Sequence, residues 1–423
     1  MLTRVLVVLP LYGGSLPVGR YCAAALRDNG CLVEVFEAPA FFGSFEALKG
    51  LQVRRERLDY LENSYLALVG EAVLAQVERF APDLVLAMAQ APLSRKTLAR
   101  LKHDGVPTAM WFVEDYRLFV YWRSFATCYD FFAVIQREPF LRELADLGVR
   151  NALYLPLAAL PELHRPLEGE ALSAADRQRF GADVSFMGAG YPNRRRAFRE
   201  LTGYDFKIWG TEWDDDAFLE AHLRMKGERI SPEDAVRIFN AAKINLNLHS
   251  GIKAEPAVTR GDFINPRTFE IACCGAFQLV DERTLLPELF AEDEIGSFST
   301  LEDLKNKLDY YLQRPEEREA IAERGRARVL KEHTYQARMK TLLDFVAGRL
   351  PDWPAMRPYT GWGEDLEPEL CTRLEALMET LQLPAGADFE TVIAALRGRS
   401  GKLSSLESAL LFLDEWKKQY AKA

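Results

Sequence analysis

Residues 262–281 read DFINPRTFEIACCGAFQLVD, and this stretch decides the fold class of the chain. Pro266 stands where a helix would begin, because a proline at the first helical position gives up only an N–H that would be unpaired anyway. Gly275 stands where the C-terminal cap of that helix is expected, and residues 276–280 have the composition of a buried strand. A loop, a short helix and a buried strand in this order predict an α/β fold.

The N-terminus of this short helix would direct Arg267 and Glu270 toward whatever lies above the sheet. The positive ends of helices attract anions, phosphates among them. The stretch therefore predicts an anion-binding element, although an ordinary crossover helix of any α/β protein explains the same residues equally well.

The composition predicts a globular protein with more than one domain. At 423 residues the chain exceeds one typical core, so roughly two or three domains are expected. Hydrophobic residues make up 48% and charged residues 27%, which is ordinary for a soluble protein. The formal net charge of −9 argues against a general nucleic-acid binder, which needs a basic surface.

The six cysteines predict a reducing compartment. They are scattered without CxxC spacing, and Cys273 and Cys274 lie in an apolar run, so small buried residues explain them better than a disulfide or zinc framework. The first apolar run is too short to span a membrane and lacks the cleavage site of a signal peptide. Residues 5–9 are therefore predicted to be the first strand, and the chain to be cytoplasmic with no transmembrane segment.

Periodicity predicts two α/β halves. Strands of the first half are expected at residues 4–9, 32–36, 83–88, 108–113, 131–135 and 152–155, with helices at 18–28, 45–80 and 95–104. Strands of the second half are expected at residues 182–187, 205–209, 243–248 and 276–280, with helices at 194–202, 231–242 and within 301–347.

Pro156, Pro161 and Pro166 mark a joint between the halves. The predicted domains are residues 1–165, residues 166–350 and a helical tail, residues 351–423. Three helices are expected between residues 365 and 418, around the loop 384–388, with docking or oligomerisation as their use.

A glycine turn beside three arginines is the first candidate site. Gly188 and Gly190 follow a strand and precede a helix, where backbone amides cradle phosphates. The GxGxxG pattern is incomplete because position 193 is Asn. Arg194 begins a run of three arginines, of which at most one or two reach a ligand, since consecutive helical residues point in different directions. A solvated basic face is the alternative.

The stretch 262–281 contains two acids, and a histidine precedes it. A carboxylate such as Glu270 or Asp262 is suited to accept hydrogen bonds from a ribose diol, whereas a surface acid paired with Arg267 is the alternative for Glu270. His249 ends an apolar strand, where α/β proteins usually bind ligands. A structural histidine with satisfied hydrogen bonds explains its position equally well.

Two further acidic stretches are weaker candidates. Residues 214–216, three aspartates, are similar to a DxD metal motif, but they more simply solvate a polar loop. Asp115 follows the strand at 108–113, a place suited to a general base or an acceptor contact, and helix capping explains it as well. The sequence shows no Ser/His/Asp arrangement, metal-ligand cluster or Walker loop.

Together these residues resemble the nucleotide-sugar-dependent glycosyltransferases of the GT-B architecture, in particular the CgeB-like (spore maturation protein) branch of the family-1- and family-4-like enzymes. The resemblance is carried by VSFMG (184–188), AKINLNLH (242–249), NPRTFEIACCGA (265–276) and the late HTYxxR (333–338). It covers about residues 180–345. The first half is similar only in outline, through WFVED (111–115) and the prolines of the joint.

The resemblance implies two Rossmann-like domains that face each other across a cleft, with the donor held by the second. In such enzymes an E-x7-E pattern faces the donor, and its second acid binds the ribose. Here the pattern is D-x7-E, with Asp262 and Glu270. Retaining members also place an Arg and a Lys on the diphosphate. Ala189 occupies the Arg position here, so this role would pass to Arg194, Arg267 or Lys253.

The resulting expectation is a glycosyltransferase of the hexosyltransferase type that needs no metal or other cofactor. The donor would be a nucleotide sugar, with UDP favoured, and the acceptor a saccharide, lipid or protein. His249 would contact the sugar or the α-phosphate, Asp115 would act as base or acceptor contact, and the loop 13–15 would approach the donor. The tail would allow homo-oligomers. The alternatives are a nucleotide-sugar epimerase of the same fold and a non-catalytic two-domain scaffold.

Overall fold

The computed structural model describes residues 3–167, 171–214, 216–354, 366–383, 387 and 389–420. By their contacts, they divide into two compact units, residues 1–109 with 344–423 and residues 110–343. Strands and helices alternate through both, so the predicted α/β class is confirmed. Asp215 and most of the predicted loop 384–388 lie outside the described residues.

The first sheet has six strands in the order β2-β1-β3-β4-β5-β6. Its strands are β1 (Arg4–Val8), β2 (Leu32–Phe36), β3 (Leu84–Met88), β4 (Thr108–Phe112), β5 (Phe131–Val134) and β6 (Ala152–Tyr154). β1 pairs in parallel with β2, Val5 opposite Val33, and with β3, Val5 opposite Leu84. β1 and β3 are buried along their whole length, as expected for parallel strands covered on both faces.

The second sheet has five strands in the order β11-β10-β9-β7-β8. These are β7 (Ala182–Met187), β8 (Phe206–Trp209), β9 (Ala242–Asn247), β10 (Gln278–Asp281) and β11 (Gly296–Phe298). Apolar clusters cover both faces, with Val184 and Ile244 on one side and Met187 and Trp209 on the other. This sheet positions the candidate site.

Sequence periodicity missed or misplaced two features of this sheet. The edge strand β11 was not predicted, because three residues are too few to show a period of two. β10 begins two residues later than expected. The amides of Gly275 and Ala276 close the end of the preceding helix by bonding to the carbonyls of Ala272 and Ile271, so these residues are not free to join the sheet.

The helices in chain order are α1 (Ser15–Asp28), α2 (Phe42–Lys49), α3 (Arg55–Phe80), α4 (Arg95–His103), α5 (Trp122–Phe125), α6 (Phe140–Asp146), α7 (Ala174–Phe180), α8 (Pro192–Phe198), α9 (Pro232–Ala241), α10 (Pro266–Cys273), α11 (Leu286–Leu289), α12 (Leu301–Leu312), α13 (Pro315–Glu332), α14 (Tyr335–Ala347), α15 (Pro368–Thr380), α16 (Phe389–Gly398) and α17 (Ser405–Tyr420). The single helix expected at 45–80 is wrong. Gly50 ends α2, and Arg54 is extended (φ −60°, ψ 146°) before α3 begins.

The predicted helical tail is present as α15, α16 and α17, which share a small apolar core that includes Leu377, Val392 and Leu410. A buried hydrogen bond of 2.8 Å joins Nη2 of Arg4 in β1 to Oγ1 of Thr391 in α16. The tail therefore packs within the same unit as the first strands. Its use in docking or oligomerisation stays a prediction.

In the part of the chain that the structure describes, no helix is both long enough and apolar enough to span a membrane.

Candidate functional site

The candidate site lies at the carboxyl edge of the five-stranded sheet, where β7, β9 and β10 end and α10 begins. This is the edge at which α/β proteins bind ligands. Asn265 caps α10 by accepting a hydrogen bond from the amide of Thr268 at 3.2 Å, and Pro266 occupies the first turn, as predicted. Gly275 has a positive φ of 64° just after the helix, which confirms its predicted place at the C-terminal end.

His249 is buried and uses both ring nitrogens within the protein. Nδ1 lies 2.6 Å from Oδ1 of Asp281, and Nε2 lies 2.9 Å from the amide nitrogen of Asn265. The amide can only donate, so Nε2 accepts and Nδ1 carries the proton. His249 thus holds the residue that caps α10. This matches the structural alternative, and direct contact with a ligand stays a prediction.

Burial lowers the pKa of His249 to about 4, although the nearby carboxylate of Asp281 raises it. Burial alone would raise the pKa of Asp281, but His249 and Arg283 outweigh it and hold that pKa below its usual value. Arg283 donates to Oδ2 of Asp281. The result is a neutral imidazole beside an ionised, doubly paired carboxylate. The sequence assigned no role to Asp281 or Arg283, whose only signal was a position at the end of a strand.

Arg194 places a buried cation at this edge. Its side chain is in α8, and 9% of the residue is exposed. Nε donates to the carbonyl of Leu248 at 2.9 Å and Nη1 to the carbonyl of Ala189 at 3.0 Å. Within the described residues no carboxylate oxygen lies within 4.0 Å of the guanidinium. Burial lowers the pKa of Arg194 to about 10, although the carboxylate of Asp281 raises it through space. Among the described residues the buried guanidinium therefore makes no direct ion pair.

The other two arginines of α8 point elsewhere, as expected for consecutive helical residues. Arg195 donates to the carbonyls of Gly190 and Asp214, at 2.8 and 2.7 Å. Arg196 pairs with Glu200 and with Glu255 at 2.7 and 2.8 Å. Only Arg194 among the three is therefore buried at the site.

The glycines of the turn after β7 are required by packing. The amides of Gly188 and Gly190 donate to the carbonyls of Trp209 and Thr211, both at 2.9 Å. A Cβ on Gly190 would lie 1.9 Å from the carbonyl oxygen of Glu212. Position 190 therefore requires glycine, and both amides already donate to carbonyls at the end of β8 or in the loop after it. A phosphate contact by Gly188 or Gly190 stays a prediction.

Asn193, which breaks the GxGxxG pattern, holds the loop that follows β9. Its Nδ2 donates to the carbonyls of His249 and Ala257 at 2.9 and 3.0 Å, and its Oδ1 accepts from the amide of Gly251 at 2.7 Å. The residue is fully buried. Asparagine at this position is explained by these three bonds, which the sequence pattern did not reveal.

Glu270 is buried on α10, below the helix N-terminus. Its Oε2 accepts from Arg267, the i,i+3 partner named in the alternative interpretation, but the acid is not on the surface, and Oε1 lies 3.9 Å from Nε2 of His164. Burial lowers the pKa of His164, and Glu270 opposes that effect. Arg267 is half-buried, so its guanidinium bridges the buried acid and the surface of the site.

A small cavity of about 20 Å³ lies between the sheet and α10. Arg194, Arg267, Asn247 and Asn265 are among its lining residues. Asn247 accepts from Nδ2 of Asn265 at 2.7 Å and donates to Oγ1 of Thr268 at 3.1 Å. The cavity has room for a single water, so the polar network beneath the helix is rigid and nearly filled.

Asp262 lies buried in the loop before α10, with 8% of the residue exposed. Its Oδ1 accepts from Nε2 of Gln136 at 2.9 Å. Its Oδ2 is buried and has no hydrogen-bond partner among the described residues. Gln136 was not predicted, because the two residues are 126 positions apart in the sequence.

The remaining predicted residues are not brought into this cluster. Asp115 accepts from the amide of Arg117 at 2.9 Å, a contact within a turn. Lys253 is exposed in the loop after β9. Ser15, in the loop 13–15, donates to the carbonyl of Ala89 at 3.0 Å within the other unit. Roles for these three residues stay predictions.

Two of the aspartates at 214–216 lie among the described residues. Asp216 accepts from Arg199 at 3.0 Å, and Asp214 contributes its carbonyl to Arg195, whereas Asp215 lies outside the described residues. Over the described part of the chain, no group of three or more His, Cys, Asp or Glu side chains is placed to hold a metal ion.

Comparison with known families bears on this geometry directly. Residues 170–344, which contain every strand of the second sheet, match the model of a family described as glycosyl transferase-like. The spore protein CgeB of Bacillus subtilis (strain 168) is 26% identical over 259 residues, which are 59% of this chain and 78% of CgeB.

Solved structures show the same architecture. Anabaena HepE in complex with UDP and glucose has a TM-score of 0.57 at 11% identity, covering 82% of this chain and all of that one. Sucrose-phosphate synthase from Thermosynechococcus elongatus has a TM-score of 0.54 at 13% identity, covering 82% and 98%. The predicted resemblance to GT-B glycosyltransferases and to their CgeB-like branch is confirmed, and the chain shares the fold of these structures.

Proposed function

We propose that this protein transfers a sugar, a hexose, from a nucleoside-diphosphate sugar to a saccharide, lipid or protein acceptor, without a metal ion. The observation that carries the proposal is the buried Arg194 guanidinium. A buried cation is costly unless an anion accompanies it, and among the described residues no carboxylate pairs with it directly, since Asp281 acts on it only through space. The diphosphate of a donor would supply that anion.

The elements around Arg194 suit the rest of a nucleotide sugar. The N-terminus of α10 presents the positive end of the helix dipole and the guanidinium of Arg267, which favour a phosphate. Glu270, held by Arg267, would accept hydrogen bonds from the ribose hydroxyls. The HepE structure contains UDP and glucose, which supports UDP as the favoured nucleotide.

The chemistry of this proposal needs charge stabilisation more than a strong base. Transfer breaks the bond between the anomeric carbon and the diphosphate oxygen, and negative charge develops on the departing nucleoside diphosphate. Arg194, Arg267 and the start of α10 would meet that charge in a fixed, partly buried place. His249 would act indirectly, by holding the amide of Asn265 in place. Lys253 is proposed as a contact to the phosphate and Asp115 as a contact to the acceptor.

A thermal-shift screen with UDP-, GDP- and dTDP-glucose tests the donor. A ligand at about 100 times its Kd adds ~2.7 kcal/mol to the folded state, so one of the three should raise the melting temperature of the wild type. Arg194→Met and Glu270→Ala should each lose most of that increase. Arg196→Met is the matched control, since Arg196 is in the same helix but pairs with surface acids.

Three results would contradict parts of the proposal. No stabilisation by any of the sugars would contradict the nucleotide-sugar donor. Undiminished binding by Glu270→Ala would contradict the ribose contact. Stabilisation that disappears in EDTA would contradict metal independence, and turnover of the donor to an isomeric nucleotide sugar without acceptor would favour the epimerase.

A further inference from the structure

The cavity beneath α10 is lined by two cations and by no acid. Its volume is about 20 Å³, and it lies between strands β7 and β9 on one side and helices α9 and α10 on the other. Among the described residues that line it are Arg194 and Arg267, but no aspartate or glutamate. The proposed donor contacts involve both arginines and give no role to the cavity itself.

Arg194 keeps a hydrogen-bond donor that the chain does not use. The residue is 9% exposed. Its Nε and Nη1 donate to the carbonyls of Leu248 and Ala189, whereas Nη2 makes no hydrogen bond among the described residues. Burial lowers the pKa of Arg194, and the like charge of Arg267 lowers it further. Because an unsatisfied buried donor is costly, this guanidinium favours an acceptor beside it.

The start of α10 adds further donors to the same cavity. Arg267 donates to Glu270 through Nη1, and its guanidinium makes no other hydrogen bond among the described residues. Nδ2 of Asn265 donates to Oδ1 of Asn247 at 2.7 Å, which uses one of its two N–H groups. The positive end of the dipole of α10 lies at the same place. Unused donors and positive potential therefore coincide there.

The charges around the cavity do not cancel. Glu270 offsets the charge of Arg267, and Asp281 offsets that of Arg283. Arg194 has no carboxylate within 4.0 Å among the described residues. One positive charge therefore stays without a direct counterion, and an anion of single charge would balance it.

The volume of the cavity limits the size of that anion. About 20 Å³ accommodates one particle of the size of a water molecule. Phosphate and sulfate, with five heavy atoms each, are too large. A chloride ion is only slightly larger than water and fits.

We propose that the cavity beside Arg194 binds a single chloride-sized inorganic anion when no donor is present. Water would fit by size but would leave the buried charge unbalanced. The inference rests on the proposed function in one respect. The diphosphate of a donor would draw on the same guanidinium, so chloride and nucleotide should weaken each other's binding to the same extent.

Chloride binding is tested first without a nucleotide. Sodium gluconate is replaced stepwise by sodium chloride at constant ionic strength, so that screening stays the same. Each tenfold increase in chloride above its Kd should raise the melting temperature of the wild type by about 2 °C or more. Arg194→Met should lose most of this increase. Arg196→Met is the matched control and should keep it, since Arg196 pairs with Glu200 and Glu255.

Bromide locates the ion directly. Crystals of the wild type grown in sodium bromide should show an anomalous difference peak in the cavity, next to the guanidinium of Arg194. Bromide peaks at the protein surface alone would overturn the anion site, and so would stabilisation by chloride that Arg194→Met retains in full. The crystals need no variant, so they decide the question even if Arg194→Met does not fold.

Nucleotide binding separates this inference from the proposed donor. Isothermal titration calorimetry with UDP should give a Kd about fivefold higher in chloride than in gluconate at equal ionic strength, for the wild type and for Arg196→Met. Equal Kd values in the two salts would overturn the competition and leave the donor intact. A bromide peak in a protein that binds none of UDP, GDP and dTDP would support the anion site and contradict the donor.

Discussion

His249, which is buried and holds the capping residue of α10, predicts a loss of stability in acid. Burial lowers the pKa of His249 in the folded chain to about 4, from an ordinary value of 6.5. As the pH falls, the unfolded chain therefore binds the proton first. The contribution of His249 to stability is fully present above pH 6.5 and is lost as the pH falls through 4.

The size of the effect follows from these two pKa values. The full difference corresponds to about 3 kcal/mol in the free energy of unfolding. About 2 kcal/mol of it should be lost between pH 7.5 and pH 5. His333, whose pKa is also lowered to about 4 by burial, adds a loss of similar size, so His249 must be isolated by substitution.

Urea unfolding at pH 7.5 and pH 5 tests this, with His249→Gln compared to the wild type. The variant should be less stable at pH 7.5, because the contacts to Asp281 and Asn265 are lost, yet its further loss on going to pH 5 should be smaller by about 2 kcal/mol. His103→Gln removes an exposed histidine and should leave the pH dependence unchanged. An equal loss in wild type and His249→Gln would refute the reasoning.

Three substitutions test packing, two of them beside the site and the third at Arg338 in α14, and a fourth is a control. Gly190→Ala would force a Cβ to within 1.9 Å of the carbonyl oxygen of Glu212, so the free energy of unfolding in urea should fall by about 2 kcal/mol or more. Gly14→Ala is the control, because no atom lies within 4 Å of the added carbon. Its free energy of unfolding should stay within about 0.5 kcal/mol of the wild type. Asn193→Ala removes three buried hydrogen bonds and should cost about 3 kcal/mol, measured in the same way; a cost below about 1 kcal/mol would contradict its role in holding the loop. Arg338→Met leaves three backbone carbonyls without their donor and should lower the melting temperature, and an unchanged value in a thermal scan would contradict this.

The sequence predicted those parts of the fold that depend on neighbouring residues. Helix α10 was located from Pro266 and Gly275 because caps act within one turn, and the structure has both where expected. The buried strands were found because parallel strands are apolar along their length. Short or interrupted elements escaped prediction. β11 has three residues, and the break between α2 and α3 covers only residues 50–54, of which Arg54 is extended.

The site was only partly determined by the sequence. The sequence brought Arg194, His249, Asp262, Arg267 and Glu270 to attention, because each lies at the end of a predicted strand, in the loop after it or in the helix that follows. Their partners were decided by the tertiary structure. Whether a polar group is paired depends on contacts between residues that are far apart in the chain, and periodicity holds no information about those.

The stretch 262–281 shows this division clearly. Its twenty consecutive residues were enough to predict the helix, the ends of the helix and its place beside the sheet. Two contacts were decided only when folding buried these groups. Nδ1 of His249 donates to Asp281, and Asp262 accepts from Gln136 while its other oxygen has no partner among the described residues. Burial gives each hydrogen bond its weight, since water no longer competes for the polar atoms.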